Sequence, residues 1–325
     1  MKVVRRQLDG LGTSVDRLEA GPVAVTCIPE PGSIVWPARA MFADLSKEDL
    51  ERAKPHVPAG TIEPETGSLR LNFNVYLIEA PGLVALIDAG VGNHKERPDR
   101  PAWHRRGAPF LETLAALSIK PGDVDLMVTT HLHADHVGWN TVWTGSAWRP
   151  TFPNARYVVP RAELAFWTAR AAMEGPESLL HGAYADSILP IIESVGYEAI
   201  ESPGEIAPGL RYEPAPGHTD GMSVVRLATG ADEVLFVADV MHHPLQMADI
   251  DIVSNFCIRP DQARATRRRI MSEAAESGCV VAPYHFPVPV FGHVVQDESA
   301  FCYRPMNVET GGEPAIGELK TVNQQ

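Results

Sequence analysis

Six consecutive residues constrain this chain more than any other stretch: His131-Leu132-His133-Ala134-Asp135-His136. They come just after a short apolar run, Val124 to Val128, where a loop can aim several side chains at one point. A solvated surface loop does not account for three imidazoles and one carboxylate in so short a space. Imidazole with carboxylate is a donor set for zinc, with iron or manganese as borderline alternatives, and the lack of thiolate argues against a structural cysteine-rich zinc. In an extended segment His131 and His133 point the same way and can grip one ion. Asp135 and His136, from the turn that follows, then face a second.

Four donors cannot complete two tetrahedral sites, so further ligands are expected at other strand ends. Three residues stand where such ligands belong. His218 lies in the glycine-flanked turn Pro216-Gly217-His218-Thr219-Asp220-Gly221, Asp239 follows the apolar run Val234 to Val237, and His285 follows Val280-Val281-Ala282.

The surrounding pattern predicts an α/β layered domain. Residues 73–78 and 83–87 read as a hairpin about Pro81-Gly82, and 124–128, 158–159, 210–212, 223–227, 234–237 and 280–282 read as strands. Helical spacing predicts helices over 110–119, 161–174, 184–195 and 261–277, the last with Arg264, Arg267, Arg268 and Arg269 on a solvated face. Residues 1–70, broken by prolines, are expected as an N-terminal arm over the core, 71–310 as the catalytic domain and 311–325 as a polar tail.

The net charge of −13 argues against nucleic acid or an anionic membrane as partner and leaves a small molecule as ligand. Neither a secretory signal nor an apolar run of the roughly 18 residues a membrane span needs is visible, so a soluble, cytoplasmic protein is expected. The four cysteines, Cys27, Cys257, Cys279 and Cys302, are widely spaced and read as reduced thiols.

The order His131-x-His133-x-Asp135-His136, His218, Asp239, His285 resembles the metallo-β-lactamase fold superfamily, from about Asn72 to His293. The resemblance implies a four-layer αββα sandwich with two metal ions at one edge of the sheets, taken as two Zn2+. One ion would take His131, His133 and His218, the other Asp135, His136 and His285, and Asp239 would bridge them. Leu86-Ile87-Asp88-Ala89-Gly90 is similar to the family's strand ending in an aspartate that supports the ligand loop. Such a pair of ions holds a bridging hydroxide as nucleophile, with Asp135 orienting it and returning a proton to the leaving group.

Within that family the stretch Ala238 to Gln246 and the ending His285-Phe286-Pro287 are similar to the branch of N-acyl-homoserine lactonases and methyl parathion hydrolase. Two departures stand out. His242 occupies the place of a substrate-holding tyrosine, and Ala238 that of a glycine. His242 is expected to contact substrate, and His243 to orient a metal ligand. Trp139, Trp143, Trp167 and Phe286 are expected to line the pocket. His56, His94, His104 and His181 read as surface residues.

The expected function is metal-dependent hydrolysis of a small, fairly apolar ester, lactone or phosphotriester. The alternatives are hydrolytic dehalogenation of an activated aromatic compound, or metal binding without turnover. A homodimer is compatible with the sequence.

Overall fold

The computed structural model describes residues 1–30, 34–297 and 300–310. The expected tail, 311–325, lies outside the described residues.

Two sheets are stacked. The first runs from Tyr197–Ile200 at one edge through Arg156–Pro160, Leu126–Val128, Leu83–Ile87, Asn74–Ala80, Val23–Pro29, Thr13–Ala20 and Lys2–Leu8 to Val308–Thr310. The second runs Gly204–Ala207, Leu210–Pro214, Ser223–Ala228, Glu233–Ala238, Val280–Pro283, Gly292–Asp297, Ala300–Pro305. Inward-facing residues of both, among them Val25, Tyr76, Val128, Tyr212 and Phe236, form the core between them. Alternate residues of the same strands face outward. Leu77, Leu86 and Met127 of the first sheet pack with Phe110 and Leu114 of helix Phe110–Ala116. Val224, Leu235 and Val281 of the second pack with Ile270, Met271 and Ala274 of helix Pro260–Ser277. Two helix-covered sheets make the four-layer αββα sandwich expected.

Strand direction positions the site. Leu83–Ile87 and Leu126–Val128 are parallel, as are Glu233–Ala238 and Val280–Pro283. Parallel neighbours end on the same side, so Asp88, the loop from Thr129, Asp239 and His285 all leave their sheets at one end.

Three expectations need correction. Residues 2–29 are no arm over the core: they form three hydrogen-bonded strands of the first sheet, and Val3, Leu18, Val25 and Cys27 are buried between the sheets. Cross-strand charge pairs hide this alternation, as where Arg5 and Asp16 oppose each other and join at 2.7 and 2.8 Å. Only the stretch from Ile34 to Leu71 crosses over, its Met41, Phe42 and Leu71 packing with Leu245.

Helix 184–195 begins as a π-turn, Tyr184–Ile188, before the α-helix Leu189–Ser194. Pro190 has no N–H for the carbonyl of Asp186, which accepts from Lys95 Nζ (3.2 Å) and the Thr141 hydroxyl instead.

Arg267 is fully buried, off the solvated face, donating to the carbonyls of Val240 (2.8 Å), Ile250 (2.8 Å) and Ile252 (2.6 Å). It holds the loop that follows Asp239 onto helix Pro260–Ser277.

Candidate metal centre

At the shared end of the sheets, His131, His133, His218 and Asp239 present donor atoms within 4.8 Å of one another, and Asp135, His136 and His285 form an adjoining set. Asp239 has one oxygen on each. Oδ2 is 3.1 Å from His218 Nε2 and 3.7 Å from His131 Nε2. Oδ1 is 3.2 Å from His136 Nε2 and 3.1 Å from His285 Nε2. Asp135 Oδ2 closes the second set at 3.7 Å from His285 and 3.9 Å from His136. Tetrahedral donors about 2.0–2.1 Å from one ion stand roughly 3.3 Å apart, the spacing seen here. The pair of sets has the form of a dinuclear metal site.

Unsatisfied atoms test the fit. His131 Nε2, His136 Nε2 and Asp239 Oδ1 are buried without a hydrogen-bond partner, and all three face this point. A buried polar atom is normally paired, so these donors suit a cation. The opposite ring atoms are held. His136 Nδ1 lies 2.8 Å from Asp88 Oδ2, and His285 Nδ1 lies 3.0 Å from the Asn72 carbonyl. His131 Nδ1 meets the Thr130 hydroxyl at 3.2 Å, and His218 Nδ1 meets Cys257 Sγ at 3.7 Å. Fixing one nitrogen sets the tautomer and leaves the other lone pair inward.

Charge is concentrated here. Burial pushes the Asp239 carboxyl up, but the surrounding imidazoles, His285 and His136 foremost, hold it well below the usual carboxylate range. Burial drives His131 well below the ordinary histidine value, and His133 down to about 4.

Two buried acids fasten the loops. Asp88, with φ +56°, accepts from Thr130 N at 2.8 Å as well as facing His136. Glu163, from helix Arg161–Glu174, accepts from Leu132 N (3.0 Å), Trp167 Nε1 (2.7 Å) and the Thr219 hydroxyl (2.6 Å). One carboxylate thereby joins the loop of His131 and His133 to the turn of His218. Backbone contact completes the seat: a Cβ on Gly138 would lie 2.0 Å from the Val91 carbonyl carbon, so only glycine lets these loops touch.

A cavity of about 370 Å3 opens over the donors. Of the expected lining residues, Trp167 is there. Trp139 is not: it is buried on Phe110 with its Nε1 donating to Glu30. Trp143 lies on the surface against Trp148, and Phe286 packs on Tyr303 in the outer core of the second sheet. Of these three, only Trp143 lies on a strand; Trp139 sits in the turn Gly138–Asn140 and Phe286 in the loop after Val280–Pro283. The rings that do line the cavity include Trp36, Phe73, Trp103 and Phe256, from segments distant in sequence.

His181, expected on the surface, also lines it. Among the described residues His243 hydrogen-bonds none of the candidate donors, contrary to expectation; its ring bonds Thr61 O (3.0 Å) and Leu245 N (3.1 Å), and burial pushes it down to about 4. His242 does face the cavity, its Nε2 3.3 Å from Asp239 Oδ2 and neither ring nitrogen hydrogen-bonded.

The sequence profile of the Metallo-beta-lactamase superfamily matches residues 70–277. The chain belongs to that superfamily. The N-acyl homoserine lactonase AiiA of Bacillus thuringiensis subsp. kurstaki is 24% identical over 192 residues, 59% of this chain and 64% of that protein. The match thus spans under two thirds of that relative's length. Among solved structures, the superfamily hydrolase AbOPH has a TM-score of 0.76 at 24% identity, over 93% of this chain and 99% of that one. AidC, a dizinc quorum-quenching lactonase in complex with the product N-hexanoyl-L-homoserine, has a TM-score of 0.75 at 19% identity, over 90% and 97%. These structures share the sandwich. Among the described residues no helix is long and apolar enough to cross a membrane.

Proposed function

We propose that the protein is a dinuclear zinc hydrolase acting on a small ester, lactone or phosphotriester with an apolar body. The observation that carries this reading is the Asp239 carboxylate, with one oxygen facing each donor set beneath a cavity walled by aromatic rings. The dizinc lactonase of the same fold supports it. In this reading His131, His133 and His218 hold one ion, Asp135, His136 and His285 the other, and Asp239 both. When bound, such a pair supplies a hydroxide nucleophile at neutral pH and Lewis-acid stabilisation of charge on oxygen.

The chain's own groups do the rest. Asp135, whose backbone carbonyl accepts from the Tyr284 hydroxyl, takes a proton from the attacking water and delivers it to the leaving oxygen. Burial holds His242 below the ordinary histidine value, so its ring is neutral with one N–H free to donate to a substrate oxygen. The aromatic walls bind the apolar body and exclude water.

The test is a panel of ester, lactone, thioester, phosphotriester and haloaromatic substrates, assayed with zinc-loaded and with chelated, dialysed protein. Turnover of an ester, lactone or phosphotriester that vanishes on chelation and returns with zinc is expected. Full turnover after metal removal, or turnover of haloaromatics alone, overturns the reading.

A further inference from the structure

The cavity wall holds two arginines in different states. Arg170 is paired with Glu174 through two contacts of 2.8 Å. Arg100 has no carboxylate: among the described residues its hydrogen bond is to the carbonyl of its own neighbour Asp99, at 3.3 Å. Its Nε is buried without a partner, and its guanidinium lies 5.9 Å from the Trp36 ring. A guanidinium held near an aromatic ring without a carboxylate keeps donors that can receive one.

Arg100 also stands apart from the metal donors. From His285 the wall passes to Phe73 (5.5 Å between ring centroids), to Trp103 (5.9 Å), to Trp36 (6.4 Å), and then to Arg100. His181 faces Trp103 from the other side at 6.2 Å, and burial, with Arg100 next, depresses its pKa, so it adds a neutral ring. A molecule reaching from the donors to Arg100 therefore passes Phe73, Trp103 and Trp36 and meets the guanidinium beyond them.

We propose that Arg100 is an anion subsite, and that the substrate is an ester or lactone whose apolar body ends in a carboxylate remote from the bond cut. The substrate class rests on the hydrolase reading above; the subsite does not. Adipamate and hexanamide, alike in chain length and differing by a terminal carboxylate, test it by calorimetric titration of the zinc-loaded protein. Wild type binds adipamate at least about 10-fold more tightly than hexanamide, as a charge-assisted pair requires. Arg100→Met brings the ratio to about one by weakening adipamate alone, and Arg100→Lys keeps part of the preference.

Equal affinity in wild type, or no detectable adipamate binding, overturns the subsite. So does a preference that persists in Arg100→Met, since the carboxylate then sits on the metal centre. Failure of the substrate panel with the adipamate preference intact rejects the hydrolase reading and leaves the subsite standing.

Discussion

Glu163 shows how much of the candidate metal site lies outside its candidate donors. Its two oxygens collect donors from Leu132, Trp167 and Thr219, and so fix the relative position of two ligand loops. Glu163→Gln turns one acceptor into a donor and leaves a buried group unpaired, at a cost of about 1–3 kcal/mol. We expect zinc affinity to fall about 10- to 100-fold, as is usual when an outer partner of a ligand is lost. Competition against a chelator measures it; unchanged affinity would make Glu163 a purely local residue.

His242 makes a second residue-scale prediction. Removing its free N–H in His242→Phe should lower kcat/KM about 10-fold or more for carbonyl substrates while two metals per chain remain. Loss of metal in that variant would instead make the residue a ligand. Neither the role of Glu163 nor the burial of Arg267 was legible in the sequence, because a charged residue on a helix reads as solvated unless its partners are known, and the two loop partners of Glu163, Leu132 and Thr219, lie 31 and 56 residues away. The candidate donors were legible because they lie in the loops that follow apolar strands.

At the scale of elements, the stretch from Ile34 to Leu71 is tied to the loop after Asp239 by His243. Its Nδ1 accepts from Leu245 N, so the proton sits on Nε2, which donates to Thr61 O. That clasp needs a neutral ring. With its pKa at about 4 in the fold and about 6.5 in the unfolded chain, the contribution to stability is complete above pH 6.5 and is lost as pH falls toward 4. The loss approaches about 1.4 kcal/mol per pH unit between these values. Urea unfolding of wild type and His243→Gln at pH 7, 6 and 5 should show the stability difference between them shrinking with acid. A constant difference would remove His243 as the titrating clasp. The cavity's aromatic lining belongs to this scale too. Trp36 and Trp103 reach it only through crossing segments, which no local pattern encodes, whereas Trp139 and Phe286 were drawn into the core by strand and loop geometry.

For the whole molecule, the central strands of both sheets were the readable part, and the outer ones, Gly204–Ala207, Gly292–Asp297, Ala300–Pro305 and those of the first 29 residues, were not. Strands whose inward positions include a charge pair lose the apolar alternation that identifies them, as at Arg5 and Asp16, which share the face of Val3 and Leu18. The distinction has a consequence: an arm could be removed, but these strands carry Val3, Leu18 and Val25 into the core between the sheets. A chain lacking residues 1–29 should fail to accumulate as folded, soluble protein, judged by circular dichroism and cooperative unfolding; a cooperative, wild-type-like transition would show that this part of the sheet is dispensable.

The sandwich brings donors from both sheets to one carboxylate, and that convergence can be measured directly. Anomalous diffraction at the zinc edge from zinc-loaded crystals should show two peaks per chain, about 3.5–4 Å apart, on either side of the Asp239 carboxylate. One peak, or two that do not share Asp239, would contradict a dinuclear centre built on that residue.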